Sequence, residues 1–414
     1  MRVQIAFHNL MHGRWRTLVS ISGVSLAIVL VFMQMGFLGM VADTATLIYN
    51  HLEFDVLLRS PDYFYFYDAR DIPRTTLYRV SSMPEVESVK PLQVVLAKWR
   101  VPEGAPAMRA EDVGGERVIV VMGVDPGSAM GNKQGPSGPP FRGLPAVASG
   151  AARLAGPQFL LIDQETKGDD FGAYDGEEFG DDDIDRDVEI NRKRFLIRGY
   201  FRLGAGLAAK GSVIMSESGY ARIYPGDARN NVSFGLVRLK AGNDPGTFCR
   251  LLEERLSSEP GAGSGRASVD VLTRRQVERY EKDRWLYKTP IGAIFISGVA
   301  VALVVGGVVV YMVLSNDVAN HLREYATLKA MGYSNRYMNR IVMQQAVIMA
   351  LLGYAASLLC AELLYRLVGT LANIPMNMSW NIRVVVFVLS VAMCCMSGVA
   401  TLRKLRKAHP ADLF

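Results

Sequence analysis

Histidine and cysteine are scarce in this 414-residue chain, with five His and four Cys. Cys360, Cys394 and Cys395 lie in apolar runs, where a thiol behaves as a small hydrophobe. Cys249 is the one cysteine in the long polar segment, so that segment holds no internal disulfide and a structural role is expected for the thiol. No CxxC or mixed Cys/His spacing suited to a metal occurs. A G-x-S-x-G elbow and an H-E-x-x-H helix are also missing, and His8, His12 and His321 fall at the edges of apolar runs, which argues against a hydrolase or metalloprotease. The nearest approach to a phosphate loop is "GAGLAAKGS" at 204–212. There Ala209 stands where a second glycine must let the backbone reach phosphate, and Gly211 separates Lys210 from Ser212. The chain is therefore expected to be non-catalytic, with no cofactor of its own. The acidic stretch 175–189 alternates Asp181, Asp183, Asp185, Asp187 and Glu189, a spacing reminiscent of a calcium loop. Arg186 replaces the glycine such a loop needs, and Glu189 comes too early for its last ligand. A solvated loop leading into a strand is expected, with no metal.

Long uncharged runs are what the chain has in quantity. There are 26 uncharged residues between Arg16 and Asp43, 28 between Lys288 and Asp317, 21 between Arg340 and Glu362, and 19 between Arg383 and Arg403. A hydrocarbon core needs about 20 helical residues to cross, so four crossings are expected and a purely soluble protein is excluded. Charge divides the same way: residues 43–288 carry a net −3, the remainder a net +9. Those cations flank apolar helices and are read as topology determinants, not as a nucleic-acid surface. Acids are few in the flanks. Arg2, Arg14 and Arg16 precede the first run; Arg323, Lys329, Arg336 and Arg340 lie between the second and third; Arg403, Lys404, Arg406 and Lys407 follow the last. Both ends and the second connection are thus expected on the cytoplasmic side.

The first apolar run is longer than a signal core and no small-x-small site follows Met40, so an uncleaved anchor is expected. The expected fold class is a membrane protein with four transmembrane α-helices and a large α+β extracytoplasmic domain inserted between helices 1 and 2. Its parts are an amphipathic cytoplasmic N-terminal helix (1–16), with Val3, Phe7 and Leu10 on one face, and a first transmembrane helix (17–42). An extracytoplasmic domain with helical stalk ends (43–288), a second membrane helix (289–315) and a cytoplasmic loop (316–340) follow. A third membrane helix (341–365), a short external loop (366–383), a fourth helix (384–402) and a cytoplasmic tail (403–414) complete it.

Within the outer domain, strand-like runs occur at 54–60, 94–101, 117–124, 159–163, 187–190, 194–201, 211–216 and 234–240, with helical pattern near 71–83, 244–256 and from 273 onward. Gly and Pro crowd 125–157, where a loop or boundary is expected. Neither 44–53 nor 272–286 contains Gly or Pro, so both neighbouring membrane helices are expected to run on outward as a stalk. In the second span Gly298, Ala302 and Gly306 recur every four residues and form a small-residue face for close helix packing, within the chain or against a second copy. Glu362 lies one turn from Arg366, where an interfacial ion pair is expected.

Between the second and third spans, Leu322, Tyr325, Ala326 and Leu328 are apolar, Arg323, Glu324 and Lys329 are charged, and Gly332 suits a C-cap. A short amphipathic helix on the cytoplasmic surface is expected, its apolar stripe facing lipid or a groove on a cytoplasmic protein. The wording "HLREYATLKAMGYSNRYM" resembles the coupling helix of MacB/FtsX-type ABC transporter permeases, closest to the DevC-like subgroup. The tail "LRKLRKAHPADLF", the entry "AFHNLMHGRWRTLVSISGVSLA" and the outer segments "EVESVKPLQVVLAKWR" and "FRLGAGLAAKGSVIMS" are similar to the same family. The resemblance implies a homodimeric permease in the bacterial inner membrane, working with two copies of a separate cytoplasmic ABC ATPase. Leu322, Arg323, Glu324, Tyr325, Leu328, Lys329 and Met331 would make the ATPase contact. The stalk would pass the movement to a periplasmic domain and a membrane-fusion adaptor leading to an outer-membrane channel, driving export of a lipid-like or hydrophobic cargo. A membrane receptor with a ligand-binding outer domain, and a cell-division or lipoprotein-release relative of the same permeases, are the rival readings.

Overall fold

The computed structural model describes residues 14–101, 114–127, 139–149, 151–204, 206, 209–257, 269–320, 327, 331, 334–372 and 376–407. The chain forms two compact units, one from residues 1–42 with 284–414 and one from 43–283.

Among the described residues four helices are long and apolar enough to cross a membrane: Ile21–His51, which begins in the first unit and ends in the second, and Pro290–Asn320, Asn339–Thr370 and Trp380–Arg403 of the first unit. They belong to helices α1 (Arg14–His51), α5 (Pro290–Asn320), α6 (Asn335–Ala372) and α7 (Trp380–Lys407). Pro290 opens α5, where its missing N–H has no partner to lose. Their shared core holds Val24, Ile28 and Phe32 from α1, Ala302, Val310 and Leu314 from α5, Ala346 and Ala350 from α6, and Val386 and Cys394 from α7. On each helix these recur at intervals of four or eight residues, one stripe per helix. Opposite that stripe, Val301, Val304, Val308 and Met312 of α5 are exposed apolar side chains.

The second unit is α+β. Strands β1 (Val56–Arg59), β2 (Ile72–Pro73), β3 (Val86–Arg100), β4 (Glu116–Val124), β5 (Phe159–Asp163), β6 (Asp187–Ile190), β7 (Lys193–Phe201), β8 (Ser212–Ser216), β9 (Asn231–Val232), β10 (Phe234–Leu239) and β11 (Asp270–Thr273) are joined by helices α2 (Arg74–Ser81), α3 (Pro245–Ser257) and α4 (Arg274–Tyr287), besides shorter turns. Each strand-like run read from sequence is a strand. The long β3 lies in the middle of one nine-stranded sheet and has different partners along its two halves. Its first half pairs with β10, which continues through β1 to β11. Its second half pairs with β4, and Trp99 and Arg100 also pair with Ile190 and Glu189 of β6. Because β4 pairs with β8, β8 with β5, β5 with β7 and β7 with β6, the six strands close into a ring. Closure leaves these strands no free edge. Trp99 fills the ring, its indole donating to the Phe171 carbonyl at 3.1 Å and meeting Phe171 and Phe179 edge-on. The β6–β7 hairpin turns on Asn191 and Arg192, both left-handed with φ 46° and 62°, as a two-residue turn between twisted strands requires.

Candidate functional site

The arrangement with most bearing on function in the outer unit lies where its two ends begin and finish. The last turn of α1 leaves carbonyls with no partner inside the helix. The Arg274 guanidinium, at the start of α4, closes this end: it donates to the Tyr49 carbonyl of that turn at 2.9 Å and, just past the helix, to the carbonyls of Leu52 at 2.5 Å and Phe54 at 3.2 Å, and lies 4.2 Å over the Phe54 ring. A cation at the negative end of a helix is favourable in its own right. Burial lowers the Arg274 pKa, with Glu278 and Asp55 acting against that.

A second tie lies beside it. Arg59 at the end of β1 is buried between the rings of Tyr63 and Tyr280, 4.2 and 4.1 Å from their centroids, and meets Asp270 of β11 at 3.6 Å. Tyr63 donates to the Glu281 carboxylate of α4, and the Tyr49 and Tyr63 hydroxyls lie 2.9 Å apart. Glu281 is 0% exposed. Burial, then Tyr49 and Glu281, raises the Tyr63 pKa far above the usual phenol, so the hydroxyl keeps the proton it donates. Guanidinium, phenols and carboxylate together bind the end of α1, strand β1 and helix α4 into one piece. No sequence signal marks these residues, since Tyr63 and Glu281 are 218 positions apart.

The sequence-derived sites fall as follows. Leu322, Arg323, Glu324, Tyr325, Leu328 and Lys329 lie outside the described residues. Met331 is 62% exposed, and its amide donates to the Thr327 carbonyl at 3.0 Å, one helical turn back. The small face of α5 packs within the chain. A Cβ at Gly298 would sit 2.6 Å from the Gln34 carboxamide, one at Gly306 2.6 Å from Met393 Sδ and 2.9 Å from Ala27, and Ala302 is buried between them. Glu362 meets Arg366 at 3.3 Å and, unforeseen from the sequence, Arg383 of α7 at 3.6 Å.

At the two ends of the 204–212 stretch, described residues hold an anion of the protein's own. The buried Asp163 carboxylate accepts from the Leu203 and Gly204 amides at 3.0 Å and from Ser212 Oγ at 3.1 Å, while burial raises its pKa against those donors. In the acidic stretch, Asp183 is buried and accepts from the Tyr174 amide, the Gly180 amide and Arg186, so it organises the loop and is not a solvated charge. Asp181 accepts from Tyr200 and Asp185 pairs with Arg198. No group of three or more potential metal ligands occurs among the described residues. Cys249 is buried on α3, its thiol pushed up to about 12 by burial first and by Glu253 and Asp244 next.

Residues 296–410 match the family model described as FtsX-like permease C-terminal. Among solved structures, the periplasmic region of MacB from Actinobacillus actinomycetemcomitans is similar at 12% identity and a TM-score of 0.35, over 56% of this chain and 94% of that one. The extracellular domain of the noncanonic ABC-type transporter YknZ from Gram-positive bacteria is similar at 9% identity and a TM-score of 0.31, over 53% and 99% of the two chains. No curated protein matches this chain. The family match runs from within α5 through α7, so that part of the chain is similar to an FtsX-like permease C-terminal domain.

Proposed function

We propose that this chain is a mechanotransmitting permease: a homodimer that receives movement from two copies of a cytoplasmic ABC ATPase and delivers it outside the membrane. The observation that carries this reading is the double tie at Arg274 and at Arg59–Tyr63–Glu281, which joins the outer end of α1 to the start of α4. Helix α1 runs for 38 residues, and a helix rises 1.5 Å per residue, so it is long enough to carry displacement beyond the span of a membrane. Two helix ends bound to each other move together and cannot slide independently. On the inner side the amphipathic stretch 322–331 makes the ATPase contact through Leu322, Tyr325 and Leu328, with Arg323, Glu324 and Lys329 at the rim and Met331 at its end. Both termini lie in the cytoplasm and residues 43–288 in the periplasm. A membrane-fusion adaptor and an outer-membrane channel complete the path. The cargo is lipid-like or hydrophobic, as in the DevC-like subgroup that the inner stretch resembles.

Affinity purification of the full chain from its native host tests the inner contact. A P-loop ATPase is expected to accompany the wild type and to be lost on Leu328→Asp or Tyr325→Asp. Equal ATPase recovery with both variants overturns the reading.

A further inference from the structure

At the junction of α6 and α7 the bundle carries an excess of positive charge beside apolar surface. Glu362 of α6 faces two guanidinium groups, Arg366 on its own helix at 3.3 Å and Arg383 on α7 at 3.6 Å. One carboxylate cannot balance two guanidiniums, and it accepts only a fraction of their ten N–H donors. Arg366 is 77% exposed, so most of its donors face outward. Arg383 Nε is buried and has no hydrogen-bond partner. The start of α7 adds the positive end of a 28-residue helix, its first turn held by Ser379, whose hydroxyl accepts from the Ile382 amide and whose carbonyl accepts from the Arg383 amide. Tyr354 fixes the turn from α6 by donating to the Arg383 carbonyl at 3.0 Å.

Around this charge the surface is amphiphilic. Trp380, one turn before Arg383, is 73% exposed, and Leu359, Leu363 and Leu367 on α6 are exposed beside Glu362 and Arg366. Tryptophan settles at the polar edge of a bilayer and leucine below it, whereas a free guanidinium at that depth calls for an anion. A ligand that supplies both an anion and hydrocarbon satisfies every one of these groups; a free inorganic anion leaves the tryptophan and leucines unused. We propose that Arg366 and Arg383, with Trp380, form a binding site for the phosphate of an anionic lipid. With four crossings, the α6–α7 connection lies on the same side of the membrane as residues 43–283, so the lipid belongs to the outward-facing leaflet. The inference needs only the four crossings and stands apart from the transmission reading.

Native mass spectrometry of the full chain, released from nanodiscs of mixed phosphatidylglycerol and phosphatidylcholine, reads the site. The wild type is expected to retain phosphatidylglycerol in preference to phosphatidylcholine. A cation near a membrane surface contributes about fivefold to the affinity for anionic lipid, so Arg366→Gln lowers retention about fivefold, and Glu362→Gln, which removes the competing carboxylate, raises it by a similar factor. Arg366 is exposed on a helix surface, and Arg366→Lys restores retention in part. Unchanged retention in Arg366→Gln and Glu362→Gln overturns the site. So does equal retention of the two lipids. Displacement of phosphatidylglycerol by millimolar inorganic phosphate assigns the arginines to a soluble anion and overturns the lipid.

Discussion

The membrane bundle and the outer unit are held by different forces, and the contrast locates where each tolerates change. In the bundle, contact is a matter of volume. Small residues on α5 let Gln34, Ala27 and Met393 approach to within a side chain's width, and single polar bonds such as Ser397 Oγ to the Gly307 carbonyl at 2.8 Å and Gln345 to Asp317 at 2.9 Å join the helices. Lipid tails are as apolar as leucine, so apolar area gives helices no reason to associate and close fit must supply it. In the outer unit, water is the competitor: burial of aromatic and aliphatic side chains supplies the drive, while backbone ladders and buried charges define the geometry. Arg274 and Arg59 belong to this second regime. The bundle is therefore sensitive to added bulk and the outer unit to lost polar partners.

Three substitutions break or sharpen that comparison. The largest effect is expected at the tie on α1. Arg274→Ala leaves three carbonyls without a charged donor, each such bond being worth roughly 1.5–3 kcal/mol, and a loss of about 4 kcal/mol or more is expected. Hydrogen–deuterium exchange of the full chain should then rise at Tyr49–Phe54 and in α4 and leave α6 unaffected. Exchange that stays slow at Tyr49 and Leu52 would mean the tie is ornamental. Next comes Gly306→Leu, whose branched side chain must displace Met393 and Ala27. Overpacking of this kind costs about 1–3 kcal/mol, read as a lower melting temperature in detergent. A wild-type melt for Gly306→Leu would contradict the volume argument. The smallest effect has the opposite sign. Arg192 holds φ 62° in the β6–β7 turn, and a left-handed residue other than glycine costs about 1–2 kcal/mol, so Arg192→Gly should stabilise the outer unit by about 1 kcal/mol in denaturant unfolding.

Much of the fold was legible because its signals are local. Runs such as "FLLID" and "RFLIRGYF" carry their strand character in five to eight adjacent residues, and they are strands β5 and β7. β2 and β9 escaped notice, since two residues hold no period to read, and β11 did because it runs straight into helix α4. The pairing of Glu362 with Arg366 was visible at i,i+4, whereas Arg383 arrives from another helix. The spacing of Gly298, Ala302 and Gly306 announced a close-packing face but not its partner, which is the chain's own α1 and α7. Asp183 read as one acid in a solvated run. Its burial follows from Arg186 and two backbone amides that fold back onto it.

Four membrane-length helices with a sheet-rich unit after the first followed from the sequence alone, because desolvating a backbone in hydrocarbon is decided within about 20 consecutive residues. Tertiary structure alone decided that β3 closes a ring through β6, that Arg274 finishes α1, and that Tyr63 reaches Glu281. Each of these joins residues many dozens of positions apart, and such partners have no local pattern: they meet only when the packed core brings their buried polar groups to the one place where they can be satisfied.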